Sequence, residues 1–299
     1  MTKAKPEACV TMPWYLCRDG IYEINEFDCA SCFLVEGTER ALLIDTGVGI
    51  GDLKWLVENR ITEKPYDVII THNHGDHIGG AGWFNSVWIH PADADWKAGN
   101  AVPSLAFRRD YAGLIRKREG KTYAYDPEKD IRPWPKEPRM QFVTDGQQFD
   151  LGGRTVTVYH CPGHTAGELV LTDDKTKTLL CGDACNCNWL LNAGLAPTLR
   201  GCAEKALAAL EKISGMAGSA FSMESVFNFH HDFRPVGQPL SPDILPDLIA
   251  CLRSLLNGNA KYETVPDPLS PDGGSRKIAR YGKVMVSCMG GDLEKMIIE

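Results

Sequence analysis

The sequence predicts an α/β fold, and three observations carry the prediction. Short apolar runs of strand character recur along the chain, segments with helical spacing stand between them, and glycine- or proline-bearing turns separate the two. At 299 residues and 43% hydrophobic content there is enough apolar material for a sizeable core, and the length allows one large domain or two ordinary ones.

Taken in order, SCFLVEGTERALLIDTG from Ser31 holds two apolar runs around the polar turn EGTER, the pattern of a hairpin that ends at Asp45, Thr46 and Gly47. GDLKWLVENRI sets Leu53, Leu56, Val57 and Ile61 at helical spacing, and DVII at 67–70 follows as a short buried strand. SVWIH is a further strand, and PADADWKAG, with proline first, suits a short helix. Between about 95 and 140 the composition shifts to aromatic, basic and proline residues, which reads as an insertion with one helix near 104–118. RTVTVYH (154–160), ELVLT (168–172) and KTLLC (177–181) are strands, CAEKALAALEKI (202–213) is an amphipathic helix, and SVFNFH (225–230) is a strand. In SPDILPDLIACLRSLLNG, Ser241 is the expected N-cap, with Leu245, Leu248, Ile249, Leu252 and Leu256 on one face; KVMVSCM is a last strand.

The balance of charge is −7, which disfavours nucleic acid or an anionic membrane as the main partner. No stretch approaches the roughly 20 apolar residues of a membrane helix. The N-terminal MTKAKPEACVTMPWYLC lacks the apolar run of a secretory signal, so a cytoplasmic location is expected. Eleven cysteines without a repeated framework read mostly as reduced thiols, with the Cys29–Cys32 pair buried at a strand edge.

THNHGDHIGG, residues 71–80, gathers three of the chain's eight histidines and an aspartate. A strand would send His77 to the face opposite His72 and His74, and a helix would part His72 from His74 by about 200°, so the segment must turn for these side chains to converge. Gly75, free to take angles other residues avoid, suits such a turn. Imidazole with carboxylate suits zinc, iron or manganese, and four ligating groups in six residues exceed the needs of one ion. Three later stretches offer more donors at strand ends: His164 in HCPGHTAGELVL, Asp183 in LLCGDACN, and His230 in FNFHHDF.

With these residues in place the chain resembles the metallo-β-lactamase superfamily. HNHGDH matches its HxHxDH signature, GHTAG its GHTxG, GDAC its GD element and LLIDTG its DTG segment, in family order from about 31 to 231. The resemblance implies a four-layer αβ/βα sandwich with metals at one edge of two facing sheets, here as a single domain over 1–299 with a cap or insertion at about 95–140. It implies that His72, His74 and His164 hold one metal, that Asp76, His77 and His230 hold a second, and that Asp183 bridges them. His230 is favoured over His231 as the first residue past the apolar strand. Asp45 is implied as a support behind the metals that orients a ligand.

Two cations about 3.5 to 4 Å apart lower the pKa of a shared water toward about 7 and generate hydroxide. The expected activity is therefore hydrolysis of a small-molecule ester, lactone or thioester, with two divalent ions, zinc first and iron or manganese as alternatives, and with Asp76 as the catalytic residue that guides the water's proton. An iron-dependent oxygenase on the same ligand frame and a β-lactam hydrolase are the alternative readings. His231, Asn186 and Trp189 are expected to line the substrate pocket, and His231, Tyr123 and Tyr125 are candidate acids. Within 95–140, Trp96, Phe107, Tyr111, Tyr123, Tyr125 and Trp134 stand among Arg108, Arg109, Arg116, Lys117 and Arg118, an apolar wall with cationic handles that would cap the site or form a contact in a homodimer.

Overall fold

The structure, a computed structural model, describes residues 10–96, 104–117, 123–231, 234–267, 274–289 and 293. Cys9 and Arg118, with residues 97–103 and 118–122 of the expected insertion, lie outside the described residues.

Seven strands form the first sheet in chain order: β1 (Trp14–Arg18), β2 (Ile21–Asn25), β3 (Ser31–Glu36), β4 (Ala41–Ile44), β5 (Tyr66–Ile69), β6 (Ser86–Ile89) and β7 (Arg139–Phe142). The first four run antiparallel as a meander, and from β4 onward the pairs are parallel, joined through α1 (Leu53–Leu56), α2 (Gly75–Ile78), α3 (Leu105–Arg116) and α4 (Pro127–Asp130). The second sheet takes β8 (Gln148–Asp150), β9 (Thr155–His160), β10 (Leu169–Asp173), β11 (Thr178–Leu180) and β13 (Val226–Phe227) in the order β13-β11-β10-β9-β8. Here β11 and β13 are parallel, so both end at the same edge. A third sheet joins β12 (Asn188–Asn192) to the C-terminal β14 (Lys261–Pro266), β15 (Ser275–Tyr281) and β16 (Val284–Met289), beside helices α5 (Leu199–Ser214) and α6 (Ile244–Leu256).

Alternation within the strands assigns each face to a layer. Phe33, Val35, Leu42, Ile44 and Ile69 meet Val156, Val158, Leu169, Leu171 and Leu180 between the two large sheets. The intervening Leu34, Ala41, Leu43, Val68 and Ile70 point the other way, onto Leu53, Leu56, Ile78, Ala112 and Ile115 of the first helical layer. From the second sheet Val170 and Leu179 pack against Ala203, Ala206, Leu210, Leu248 and Leu252. Helix, sheet, sheet and helix thus form the αβ/βα sandwich that the sequence leads one to expect, and strands buried on both faces explain its continuous apolar runs.

Some elements differ from expectation. The helix at 53–61 closes as α-helix only to Leu56 and continues as a wider π-type turn to Ile61. PADAD forms a single 3₁₀ turn, Pro91–Asp93, because its last residue is drawn into side-chain bonds described below. The strand expected over 225–230 pairs only at Val226–Phe227: beyond it, the Phe229 amide donates to Gly182 O and its carbonyl accepts from Ser31 N, so the chain leaves the ladder to stitch the two sheets together. Asp243, not Ser241, precedes the first residue of α6; Pro246 then falls in the first turn, where its missing N–H costs nothing. Among the described residues no helix is long and apolar enough to cross a membrane.

Candidate metal centre

Because β4 and β5 are parallel neighbours, Asp45 and Thr71 emerge together at one sheet edge. Asp45 has φ of +62°, a conformation costly for a residue with a side chain, and its carboxylate accepts three short hydrogen bonds: from Thr71 N (2.6 Å), Thr71 Oγ1 (2.7 Å) and His77 Nδ1 (2.7 Å). Past Thr71 the chain stays extended through His74 and then turns into α2 at Gly75, so Asp76 and His77 occupy the first helical turn while His72 and His74 precede it. The Thr46 amide and hydroxyl both donate to His77 O and fix that turn. Gly75 itself has no unusual backbone angle, contrary to the expectation; its missing Cβ lets the Phe107 ring lie close, 2.4 Å from where a Cβ would stand.

The second sheet supplies the other donors. His164 lies in the β9–β10 connection, Asp183 follows β11 after Gly182, and His230 follows β13. Gly182 has φ of +52°, and a Cβ there would meet Glu168 and Thr71. The structure gathers all seven expected ligand residues into one pocket between the sheet edges. Ligand atoms of His72, His74 and His164 lie within 4.8 Å of one another, as do those of Asp76, His77 and His230, so each trio could hold a cation. Asp183 touches both: its Oδ2 is 3.5 Å from His164 Nε2 and 3.1 Å from His230 Nε2, and its Oδ1 is 3.8 Å from His77 Nε2.

Hydrogen bonding at the far side of each ring sets which nitrogen faces the pocket. Thr71 Oγ1, its proton given to Asp45, accepts from His72 Nδ1 at 3.0 Å; His77 Nδ1 donates to Asp45, and His164 Nδ1 donates to Leu190 O at 3.2 Å. The Nε2 atoms of His72 and His77 and Oδ1 of Asp183 are left buried without a hydrogen-bond partner. Buried nitrogen and carboxylate atoms left unmatched and converging on one space fit a cation. His164 Nε2 and His74 Nδ1 also face each other at 2.9 Å.

Electrostatics divide the two trios. Burial drives His72 well below the usual imidazole range and His164 to about 3, and it lowers His74, so this trio presents neutral rings. Burial acts the same way on His77, but Asp76, Asp183 and Asp45 outweigh it and lift the ring to about 10; His230 is raised by Asp183 and Asp76 against the same opposition. Asp183, which burial alone would raise, is held well below the carboxylate range by His230, His77 and His164.

Several supports carry no obvious sequence signal. Asp93, at the end of the 3₁₀ turn after β6, accepts from Thr165 Oγ1 (2.6 Å), Gly167 N (2.7 Å) and Asn73 N (3.3 Å), tying the loop of His164 to that of His74. Glu168, next after GHTAG, accepts from Asp183 N and approaches His72 Nδ1 to 3.4 Å. Buried Glu23 accepts from Arg234, Ser31 Oγ, Gly237 N and His231 Nε2, which anchors the segment after His230. Only an acid beside a motif histidine could have suggested Glu168; Asp93 and Glu23 become visible only once distant loops meet.

Of the residues expected to line the substrate pocket, Trp189 is placed in the core instead. Trp189 is 1% exposed and packs in the core under Gly163, because β12 turns its side chain toward α5. Asn186 is buried, and its Oδ1 accepts from Cys187 N. His231 stands between Glu23 (2.6 Å), Ser31 (2.9 Å) and Asp28 (3.1 Å), none of them a member of either trio. Tyr125 is buried with its hydroxyl donated to Ala112 O, and Tyr123 donates to Asp28. Arg108 is no handle: it is buried, and its guanidinium donates to Gly79 O, Val48 O and Arg132 O. Arg109 is held by Glu128 and by Ile131 O, and Trp96 is buried. Cys32, Cys161, Cys181, Cys185, Cys202 and Cys251 are buried free thiols, as the composition suggests.

Comparison with known proteins agrees with this geometry. A sequence profile of the metallo-beta-lactamase superfamily matches residues 28–213. The acyl-coenzyme A thioesterase MBLAC2 of Homo sapiens is 30% identical over 192 residues, covering 58% of this chain and 67% of that one. The atrochrysone carboxyl ACP thioesterase dmxR1 of Cryptosporiopsis sp. (strain 8999) is 30% identical over 150 residues, 49% of this chain and 35% of that one. The chain therefore spans from about a third to two thirds of these curated relatives. In structure, a metallo-beta-lactamase from Pontibacter korlensis superposes with a TM-score of 0.54 at 18% identity, covering 81% of this chain and 99% of that one.

Proposed function

The chain belongs to the metallo-β-lactamase superfamily and is a hydrolase of that fold, and from this premise we propose that it hydrolyses acyl thioesters with two divalent ions, zinc first. The reading rests on two trios of donors that share Asp183, in a chain whose similar proteins include two named thioesterases. His72, His74 and His164 would hold one ion, Asp76, His77 and His230 the other, with Asp183 between them. Ions so held supply a lowered pKa for bound solvent and a Lewis acid for an acyl carbonyl.

The chain's own residues do the rest. Asp45, through His77 and Thr71, keeps donor nitrogens aimed inward. Asp76 Oδ2, 3.6 Å from His230 Nε2 and part exposed, is placed to accept the proton of an attacking water and pass it to solvent. His231, Tyr123 and Tyr125, the candidate acids, are all engaged elsewhere. This favours a thiolate leaving group, whose conjugate acid has a pKa of about 8.5 and which departs without a strong proton donor, over an amine or alkoxide.

The test is thiol release from acyl-coenzyme A by the zinc-loaded protein, beside a lactone, a β-lactam and a phosphodiester. Thioester turnover should exceed the others by at least about tenfold. His74→Ala and Asp183→Ala should each lose bound metal, read by elemental analysis, and reduce turnover by about 10³ or more. A loaded protein that releases no thiol, or one that opens the β-lactam faster, overturns the reading.

A further inference from the structure

On α3, Arg108, Ala112 and Ile115 face the core, while Phe107, Tyr111 and Leu114 follow one another at i, i+4 and i+7 on the adjoining face. Phe107 is the exposed one, with 37% of its surface open. Its ring edge lies against Gly75, the residue between His74 and Asp76, so this helix reaches the rim of the site at the one residue that separates the two donor trios. Tyr111 continues the surface: the two rings are nearly parallel, 14° apart with centroids 6.0 Å from each other. The Tyr111 hydroxyl is 3.1 Å from Cys29 O, which fixes the second ring to the first sheet.

Among the described residues of α3 no cation lies on the part of this face nearest the site, where the one charge is the exposed Asp110, a turn after Phe107. Arg108 is turned inward onto carbonyls, Arg109 is engaged by Glu128, and the exposed Arg116 and Lys117 stand at the far end of the helix, about 13 Å along its axis. A cationic wall would select an anionic acyl group; an aromatic ledge bordered by a carboxylate and no cation repels one and favours hydrocarbon. We propose that Phe107 and Tyr111 form the platform on which an aliphatic acyl chain lies when the thioester carbonyl reaches the donor cluster, so that α3 sets a preference for medium and long chains. This rests on the thioesterase reading and names the part of the substrate it leaves open.

The test uses the zinc-loaded full chain and straight-chain acyl-coenzyme A from acetyl to palmitoyl, read by thiol release. Burial of each methylene on the ledge is worth up to about fourfold in kcat/KM, so the wild-type ratio of octanoyl to acetyl should be large. Phe107→Ala and Tyr111→Ala should each lower that ratio by about tenfold, while Phe107→Leu, which keeps an apolar surface, should restore most of it. Binding of a non-hydrolysable S-octyl pantetheine thioether, followed by calorimetry, should weaken about tenfold in Phe107→Ala. Thiol release whose dependence on chain length is the same in wild type and both alanine variants, with unchanged thioether binding, overturns the platform alone. Absence of thiol release at every length removes the thioesterase reading and the platform with it.

Discussion

Asp93 receives the Asn73 amide, the Thr165 hydroxyl and the Gly167 amide, so one buried carboxylate holds the loops of His74 and His164 at their mutual distance. Its removal leaves those donors unmet and lets the first trio spread. Asp93→Ala should weaken metal binding by about 10- to 100-fold in chelator competition, and the longer carboxylate of Asp93→Glu should not restore it, because a Cβ-to-carboxylate reach one methylene longer collides with Gly167. Glu23 offers a test of pH. Burial would raise its carboxyl, but His231 and Arg234 overcome this and hold it at about 2, below the ordinary 4.5. A depressed folded-state pKa means stability that is complete above about 4.5 and is lost as pH falls toward about 2, worth up to about 3 kcal/mol. Denaturant titrations across this window should show a steeper loss for wild type than for Glu23→Gln. The donors that the structure brings together were legible at this scale because histidine and aspartate crowd into few positions or follow apolar runs directly. Asp93 and Glu23 were not, since what defines them is the approach of amides 20 to more than 200 residues away.

Among the elements, the four-residue α2 is the one on which the site turns, and its C-terminal end is packed without slack. At Gly79 a Cβ would stand 2.2 Å from Val48 O, and at Gly80 2.4 Å from Thr46 O, so α2 lies directly on the loop that follows Asp45. Backbone carbonyls in that position cannot rotate aside. Gly79→Ala should therefore destabilise the protein by about 2 kcal/mol or more in denaturant unfolding and lower metal content with it. Strands buried on both faces were readable as apolar runs. Exposed edge strands were not: β1 carries Trp14, Tyr15 and Leu16 all open to solvent and β14 is largely polar, so neither shows the alternation by which a half-buried strand is recognised, and β7 alternates over only four residues with its apolar Phe142 exposed. The insertion read from composition as a basic aromatic surface is instead built inward, with Arg108, Tyr125 and Trp96 in its core; charge in a sequence says nothing of which carbonyls it will meet.

For the molecule as a whole, the donor cluster lies where two sheets with separate helical layers come together, and its donors come from both. Ions bound there stabilise the joined state over any state in which the sheets part. Stripping them with a chelator should lower the unfolding midpoint by several degrees and should broaden the transition, and restoring zinc should reverse both; equal melting with and without chelator would count against a cation at this edge. The same division of ligands has a consequence for how the chain is made. A chain emerging from synthesis completes His72 to His77 long before His164, Asp183 and His230 exist, so a nascent first half can offer neither trio in full. Tight retention of a cation by these trios would thus mark a molecule whose two halves have already docked, and during refolding metal uptake should lag behind the recovery of secondary structure and keep pace with the last step of assembly.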